Sequence, residues 1–372
     1  MHIESLRLHN FRNYGRLELP LDERLNFFVG ENAQGKTNLL EALFYAATGR
    51  SFRTRNDGEL VRWGQDGFEI AVRVVHKRGA EQLHLLYRQN PKEKLYSSNG
   101  LQLSRSEYLG RFYPVLFTPE DLAIVKGSPQ QRRKFFDEQI SKIYPLYEAE
   151  LKRFSRILRQ RNRLLRQGEG VVSPELESWN EQLAVLGARI MQRRLFALRR
   201  LSLLSRLTHR RLTGGEETLV LRYRAAIPLQ QGAGEAELKE GILAALREQA
   251  RQEARLGQTL VGPHRDDIEF LINGKSAHLF ASQGQQRTLV LALKLAEIEY
   301  IRGESGEFPL LLLDDVFSEL DARRRKLLVE SIEGKVQTMV TATAAERFAL
   351  FRRSGRLFAI TRGEVVPGEP YS

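Results

Sequence analysis

No cysteine occurs in the 372 residues, which removes disulfides, thiolate metal sites, iron–sulfur ligation and cysteine nucleophiles together. Acidic residues are in deficit: 46 Asp and Glu face 58 Lys and Arg, a formal charge of +12. That balance favours polyanionic partners. Long apolar runs are missing too. Glu4, Arg7, Arg12, Arg16 and Glu18 interrupt the first residues, so no export-signal core forms there. Even Thr288 to Tyr300 is broken by Lys294, Glu297 and Glu299, short of the ~20 uncharged residues a membrane span needs. These absences predict a soluble, cytoplasmic protein with no membrane partner. What is present, 42% hydrophobic and 28% charged residues, is ordinary for a globular chain long enough for two or three domains.

The positive charge is localised. Between Pro145 and Leu212 stand 15 Lys or Arg and 6 Asp or Glu, a net of +9, and across the chain Arg outnumbers Lys by 45 to 13. From Pro129 to about Leu256 apolar residues recur at helical spacing, with a break at Gly168 to Pro174 that predicts two long helices able to pack as an antiparallel pair. The guanidinium forks suit phosphate, and aromatics are too sparse here for base stacking. The region is therefore either a solvated, salt-tolerant surface or, the favoured use, one that recognises the backbone of duplex DNA. Both chain ends instead alternate strand and helix patterns, as in Leu25 to Val29, Phe68 to Val75 and Pro309 to Leu313.

Gly30-Glu31-Asn32-Ala33-Gln34-Gly35-Lys36-Thr37 fits G-x-x-x-x-G-K-[ST] after an apolar strand and before a helix predicted to be amphipathic from Asn38 to Thr48. In that context backbone N–H groups converge on a β-phosphate at a helix N-terminus, Lys36 reaches the β- and γ-phosphates, and Thr37 binds Mg²⁺. ATP and Mg²⁺ are the expected cofactors. Leu310-Leu311-Leu312-Leu313-Asp314-Asp315 reads as a strand buried on both faces, with Asp314 as the second metal partner. Asp315 is either the group that activates water or a structural carboxylate or helix N-cap.

Ala281-Ser282-Gln283-Gly284-Gln285-Gln286 precedes the acidic strand, Ser282 lying 32 residues before Asp314, and Ser318-Glu319-Leu320-Asp321 follows it. With the phosphate loop these motifs resemble ATP-binding-cassette ATPases. The resemblance implies that Ser282, Gly284 and Gln285 contact the nucleotide held by a second copy, giving a homodimer when ATP is bound. It narrows to the RecF family on Leu8 to Tyr14, Gly49 to Arg53, Phe117 to Leu122, Lys126 to Asp137 and Gly262 to Asp267. The insertion is too short for the coiled-coil tether of related heads. Membership implies a weak, DNA-stimulated ATPase of recombinational repair, replication-fork maintenance and the SOS response to DNA damage. It also implies dimerisation on duplex DNA, gaps and junctions, slow hydrolysis that releases the DNA, and RecO- and RecR-type partners with which RecA recombinase is loaded.

The expected architecture is α/β: an ABC-ATPase-like P-loop head formed by 1–120 and 283–372, and an inserted, basic, mainly helical lobe, 121–282, ending in the Ser282 motif. Met339-Val340-Thr341-Ala342-Thr343 lacks the histidine many cassette ATPases carry, so Thr341 or Thr343 is expected near the site. His264 beside Asp266 and Asp267 lacks a second histidine at ligand spacing, and a loop is expected there rather than a metal. Arg50, Arg53 and Arg55 either touch DNA or cap the helix after the phosphate loop. A small-molecule phosphotransferase would explain the loop and Asp314 but not the Ser282 motif, and a non-hydrolysing DNA-binding structural protein would leave Asp315 idle.

Overall fold

The computed structural model describes residues 1–167, 173–230, 232–343 and 355–368. The chain divides into two units, Met1–Asp121 with Leu291–Ser372 and Leu122–Val290.

The first unit is built on two six-stranded sheets. One is antiparallel, in the order Tyr14–Pro20, His2–Phe11, Gly67–His76, Gly79–Arg88, Glu93–Ser98, Leu101–Leu103. Buried and exposed residues alternate along much of Gly67–His76, the mark of a sheet with one face on a core. The other runs Glu364–Pro367, Arg356–Thr361, Leu25–Val29, Thr338–Ala342, Leu310–Asp314, Pro114–Phe117, parallel apart from the hairpin at its first edge. All residues of Thr338–Ala342 and Leu310–Asp314 are buried. These strands read as continuous apolar runs because both their faces are covered.

Helix Lys36–Thr48 is not amphipathic: ten of its thirteen residues are buried. Its Leu39, Leu43 and Tyr45 share one core with Phe11, Phe68 and Ile70 from the antiparallel sheet and Phe28, Leu312 and Met339 from the parallel one. Covered by apolar groups from both sheets, the helix has little exposed face left to be polar.

In the second unit helices Pro129–Ile143, Pro145–Gln167 and Pro174–Leu212 each open on proline, whose missing N–H costs nothing in a first turn. Ser173 accepts from the Leu176 N–H as N-cap of the longest. Most of the Gly168–Pro174 break lies outside the described residues. Across it Arg161 bonds Asn180, and Phe154 lies against Gly187, contacts that step outward in both directions as an antiparallel pair requires. Helix Glu235–Leu256 and a three-stranded sheet of Leu219–Arg224, Asp267–Ile272 and Lys275–Ser276 complete the unit. Phe135, Phe136 and Phe112 are buried, and Tyr113 is half-buried.

Candidate functional site

Strand Leu25–Val29 leads into the glycine loop at the carboxyl edge of the parallel sheet, and helix Lys36–Thr48 begins where the loop ends. The two motif glycines answer different demands. A Cβ on Gly30 would stand 2.3 Å from the Ile360 carbonyl oxygen, so close approach of the neighbouring strand requires it. Gly35 caps the helix at φ 119°, where an L side chain is strained. Glu31, Asn32 and Ala33 are exposed. Asn13 Nδ2 donates to the Gln34 carbonyl at 2.9 Å, and Asn13 Oδ1 accepts from Asn38 Nδ2 at 2.8 Å. Tyr14 Oη donates to the Gly35 carbonyl at 2.9 Å, and burial raises its pKa, which keeps the proton in place. The Arg362 N–H donates to Gln34 Oε1 at 2.6 Å. The loop is thus held from outside.

Lys36 Nζ donates to the Gly30 and Glu31 carbonyls at 2.5 and 2.6 Å, folded onto its own loop. Burial lowers its pKa, while the charges of Asp315 and Asp314 act the other way. The pairing register sets Asp314 beside Thr341 of the neighbouring strand. Asp314 Oδ1 accepts from Thr37 Oγ1 at 2.9 Å and Thr341 Oγ1 at 2.8 Å. Burial pushes its pKa up, the two hydroxyls pull it down, and the charges of Glu120 and Asp315 add to the rise. Thr341 Oγ1 also accepts from the Asp315 N–H at 3.0 Å. Asp315 sits at φ 49°, in the left-handed region that aspartate adopts more readily than most residues. It occupies the N-cap position of Val316–Glu319, but its side chain makes no cap bond.

Lys36, Thr37, Asp314 and Asp315 therefore come together. A carboxylate and a hydroxyl beside a loop of N–H groups form a hard-oxygen donor set, which suits Mg²⁺ sharing its shell with phosphate oxygens. Among the described residues no three His, Asp or Glu gather into a metal group of their own, so a cation here draws its remaining ligands from elsewhere.

Ser282, Gly284 and Gln285 belong to the second unit. The Ser282 N–H donates to Gln285 Oε1 at 2.8 Å and Ser282 Oγ accepts from the Gln285 N–H at 3.2 Å, a reciprocal cap on helix Gln283–Ser305. Gln285 Nε2 is tied to Glu217 Oε1 at 2.9 Å. Ser282 is exposed.

Other groups singled out in the sequence have partners of their own. Arg53 Nη1 donates to Asn38 Oδ1 at 2.8 Å and lies 3.4 Å from buried Glu41, so it grips the first turns of the helix. The helix C-terminus ends on Gly49, φ 64°, instead. Asp266 accepts from Tyr223 Oη and the Ala226 N–H, and Asp267 binds Arg132 through both oxygens. Those carboxylates are used. Asn13, Tyr14 and Arg362 escape motif reading because they lie outside the loop's own stretch of sequence, at the start of Tyr14–Pro20 and in the turn after Arg356–Thr361. Leu8 to Tyr14 carried only a family likeness.

The chain matches the family described as RecF/RecN/SMC N terminal domain over residues 2–364. It is 42% identical over 379 residues to the DNA replication and repair protein RecF of Natranaerobius thermophilus, covering 98% of each chain. To the protein of the same description from Lysinibacillus sphaericus it is 42% identical over 350 residues, 93% of this chain and 94% of the other. A solved structure described as the recombination mediator protein RecF-ATP in the RecFOR pathway superposes with a TM-score of 0.89 at 34% identity, over 99% of this chain and 98% of that one. An SMC head bound to the C-winged helix domain of ScpA shares the fold alone, at 0.60 and 16% identity over 99% and 97% of the two chains. Because the likeness runs through the strands and loop that build the site, the chain belongs to the RecF family, with the α/β P-loop head of ABC-type ATPases that SMC heads also have.

Proposed function

We propose that this chain is an ATP-driven DNA-binding protein acting at gaps and single-strand/duplex junctions in recombinational repair. Family membership supports the coarser statement, an ATP-dependent role in DNA repair and recombination. One observation supports the ATP-driven part of this reading: Asp314 is buried with its charge answered by two hydroxyls, while Lys36, a nearby cation, is held on loop carbonyls. Such a carboxylate gains most from an arriving cation, and the freed Lys36 from an arriving phosphate.

The loop N–H groups of residues 30–37 take the phosphates, with Lys36 leaving its carbonyls for the β- and γ-oxygens. Thr37 and Asp314 would hold Mg²⁺, which when bound neutralises charge on the phosphoryl group. Asp315 orients the attacking water and accepts its proton; its short side chain makes turnover slow. Ser282, with Gly284 and Gln285, offers a hydroxyl and a helix N-terminus to the γ-phosphate held by a second copy, so ATP closes a homodimer and hydrolysis opens it. DNA phosphates lie along helix Pro145–Gln167, where Arg153, Arg156, Arg159 and Arg163 are exposed on one side and make no ion pair among the described residues. RecR- and RecO-type mediators, and loading of RecA recombinase, complete the role by family likeness.

Sedimentation with duplex DNA and Mg²⁺, with and without ATP, tests this. An ATP-dependent dimer on DNA is expected, lost in Lys36→Arg and Ser282→Arg. A wild-type monomer that binds DNA equally well without ATP would overturn the coupling.

A further inference from the structure

The two halves of helix Pro174–Leu212 treat their charges differently. In the first, exposed groups are matched against other helices: Glu181 with Lys239 at 2.9 Å, Glu177 with Arg247 at 3.9 Å, Arg189 with Glu235 at 2.9 Å. From Gln182 to Gly215 there is then no acidic residue at all. Arg199, Arg206 and Arg210 in that span are exposed and make no ion pair among the described residues. Between them stand three large apolar side chains left in solvent: Phe196 43%, Leu203 59% and Leu207 59% exposed.

At 100° per residue, these six positions fall within roughly 100° of arc along ~21 Å of helix. Phe196, Leu203 and Leu207 form the ridge. Arg199, Arg206 and Arg210 flank it on one side, and the exposed Arg193, Arg200 and Arg211 fall on the other. DNA phosphates would satisfy the guanidinium groups but leave the ridge against a polyanion, with its apolar surface unrewarded. Helix Pro145–Gln167 makes the contrast, since its one exposed large apolar side chain among the described residues, Leu146, stands at its first turn, ahead of the run from Arg153 to Arg163. A surface with an apolar centre and an arginine rim matches a protein partner.

We infer that the second half of helix Pro174–Leu212 is a docking site for a protein segment that interleaves carboxylates with leucine- or phenylalanine-sized side chains. Its carboxylates pair with the arginines and its apolar groups cover Phe196, Leu203 and Leu207. The helical span fits about six residues of an extended segment or about fourteen of a helical one.

The test uses the full-length protein and a fluorescein-labelled peptide of about fourteen residues alternating Asp with Leu and Phe. A control peptide carries Asn at every Asp. Fluorescence anisotropy is expected to show binding of the acidic peptide only, weakened at least ~10-fold in Leu203→Gln/Leu207→Gln, which retains all charges and helix propensity. Arg199→Gln/Arg206→Gln should weaken it similarly, while duplex DNA binds the leucine variant as well as it binds wild type. If wild type ignores the acidic peptide, or the leucine variant binds it unchanged, the inference fails. Loss of DNA affinity in the arginine variant with peptide binding intact makes the face a phosphate surface, and self-association abolished by the leucine variant makes it a contact between copies. Either result also overturns the proposal.

Discussion

Two arginines buried in the second unit and one carboxylate buried in the first serve opposite ends. In the second unit Arg194 binds Asp137 through both carboxylate oxygens at 2.8 Å and donates to the Pro263 carbonyl at 2.6 Å. Arg161 spends its nitrogens on Asn180, Thr259 and Glu253 at 2.7, 2.8 and 2.6 Å. Each of these two arginines meets an opposite charge and enough hydrogen bonds to offset its desolvation. Asp314 in the first unit meets hydroxyls only among the described residues. A fully compensated buried charge holds a fold together, whereas an under-compensated one at a sheet edge waits for a ligand.

Removing one partner from each kind of site should therefore move stability in opposite directions. Arg194→Met strands Asp137 beside Tyr147 and is expected to cost about 3–5 kcal/mol in urea unfolding, partly recovered when Asp137→Leu is added. A loss below about 1 kcal/mol would mean that the pair behaves as a surface bridge and the contrast is wrong.

Asp314→Asn keeps the shape and the acceptor for Thr37 and Thr341 but discards the charge. Its melting temperature should equal or exceed that of wild type, while Mg²⁺-dependent ATP binding is lost. The pH dependence has a definite sign. Because the folded-state pKa of Asp314 lies above the ordinary carboxyl value, its stability contribution is full below that value and is lost as pH rises through the folded one. The variant's advantage should shrink as the pH falls into the carboxyl range. An Asn variant markedly less stable than wild type at neutral pH would assign Asp314 a structural role.

How much of this was readable from residues follows the same division. The phosphate loop and Leu310 to Asp315 are contiguous runs whose chemistry sits in local spacing, so Lys36, Thr37 and Asp314 were expected together and are found together. Thr341 could be named only as a nearby hydroxyl, because its contact with Asp314 depends on sheet order, which places Thr338–Ala342 between the loop strand and the acidic strand. Asn13 and Tyr14 reach the loop from another sheet, beyond the reach of a motif. Helix Lys36–Thr48 departs from the amphipathic expectation for the same reason: its pattern suggests one face in water, and tertiary packing covers nearly all of it. In the second unit the net charge was legible, but which arginines point inward was not. Arg161 and Arg194 have no sequence mark separating them from exposed Arg163 and Arg193; only their place on the inner arc of each helix does.

The smallest expected effect concerns the histidine once weighed as a metal ligand. His264 packs on Phe154 with ring centroids 5.8 Å apart, its Nε2 lies 3.2 Å from the Thr259 carbonyl, and its buried Nδ1 has no partner among the described residues. Burial lowers its pKa to about 4; the Thr259 carbonyl acts against the shift, and the charges of Arg265, Arg133 and Arg161 add to it. With the folded value below the ordinary one, the ring's contribution to stability is complete above the ordinary histidine range. It drains away as pH falls toward 4, because the unfolded chain takes up the proton first. Wild type should therefore lose urea resistance between neutral pH and about pH 4.5 more steeply than His264→Gln, which cannot titrate. Equal slopes would show that the ring reaches solvent on protonation. Added zinc should change neither slope, since Asp266 and Asp267 are committed to Tyr223 and Arg132, and a zinc-dependent rise in stability that vanished in His264→Gln would return this loop to the class of charges that wait for a ligand.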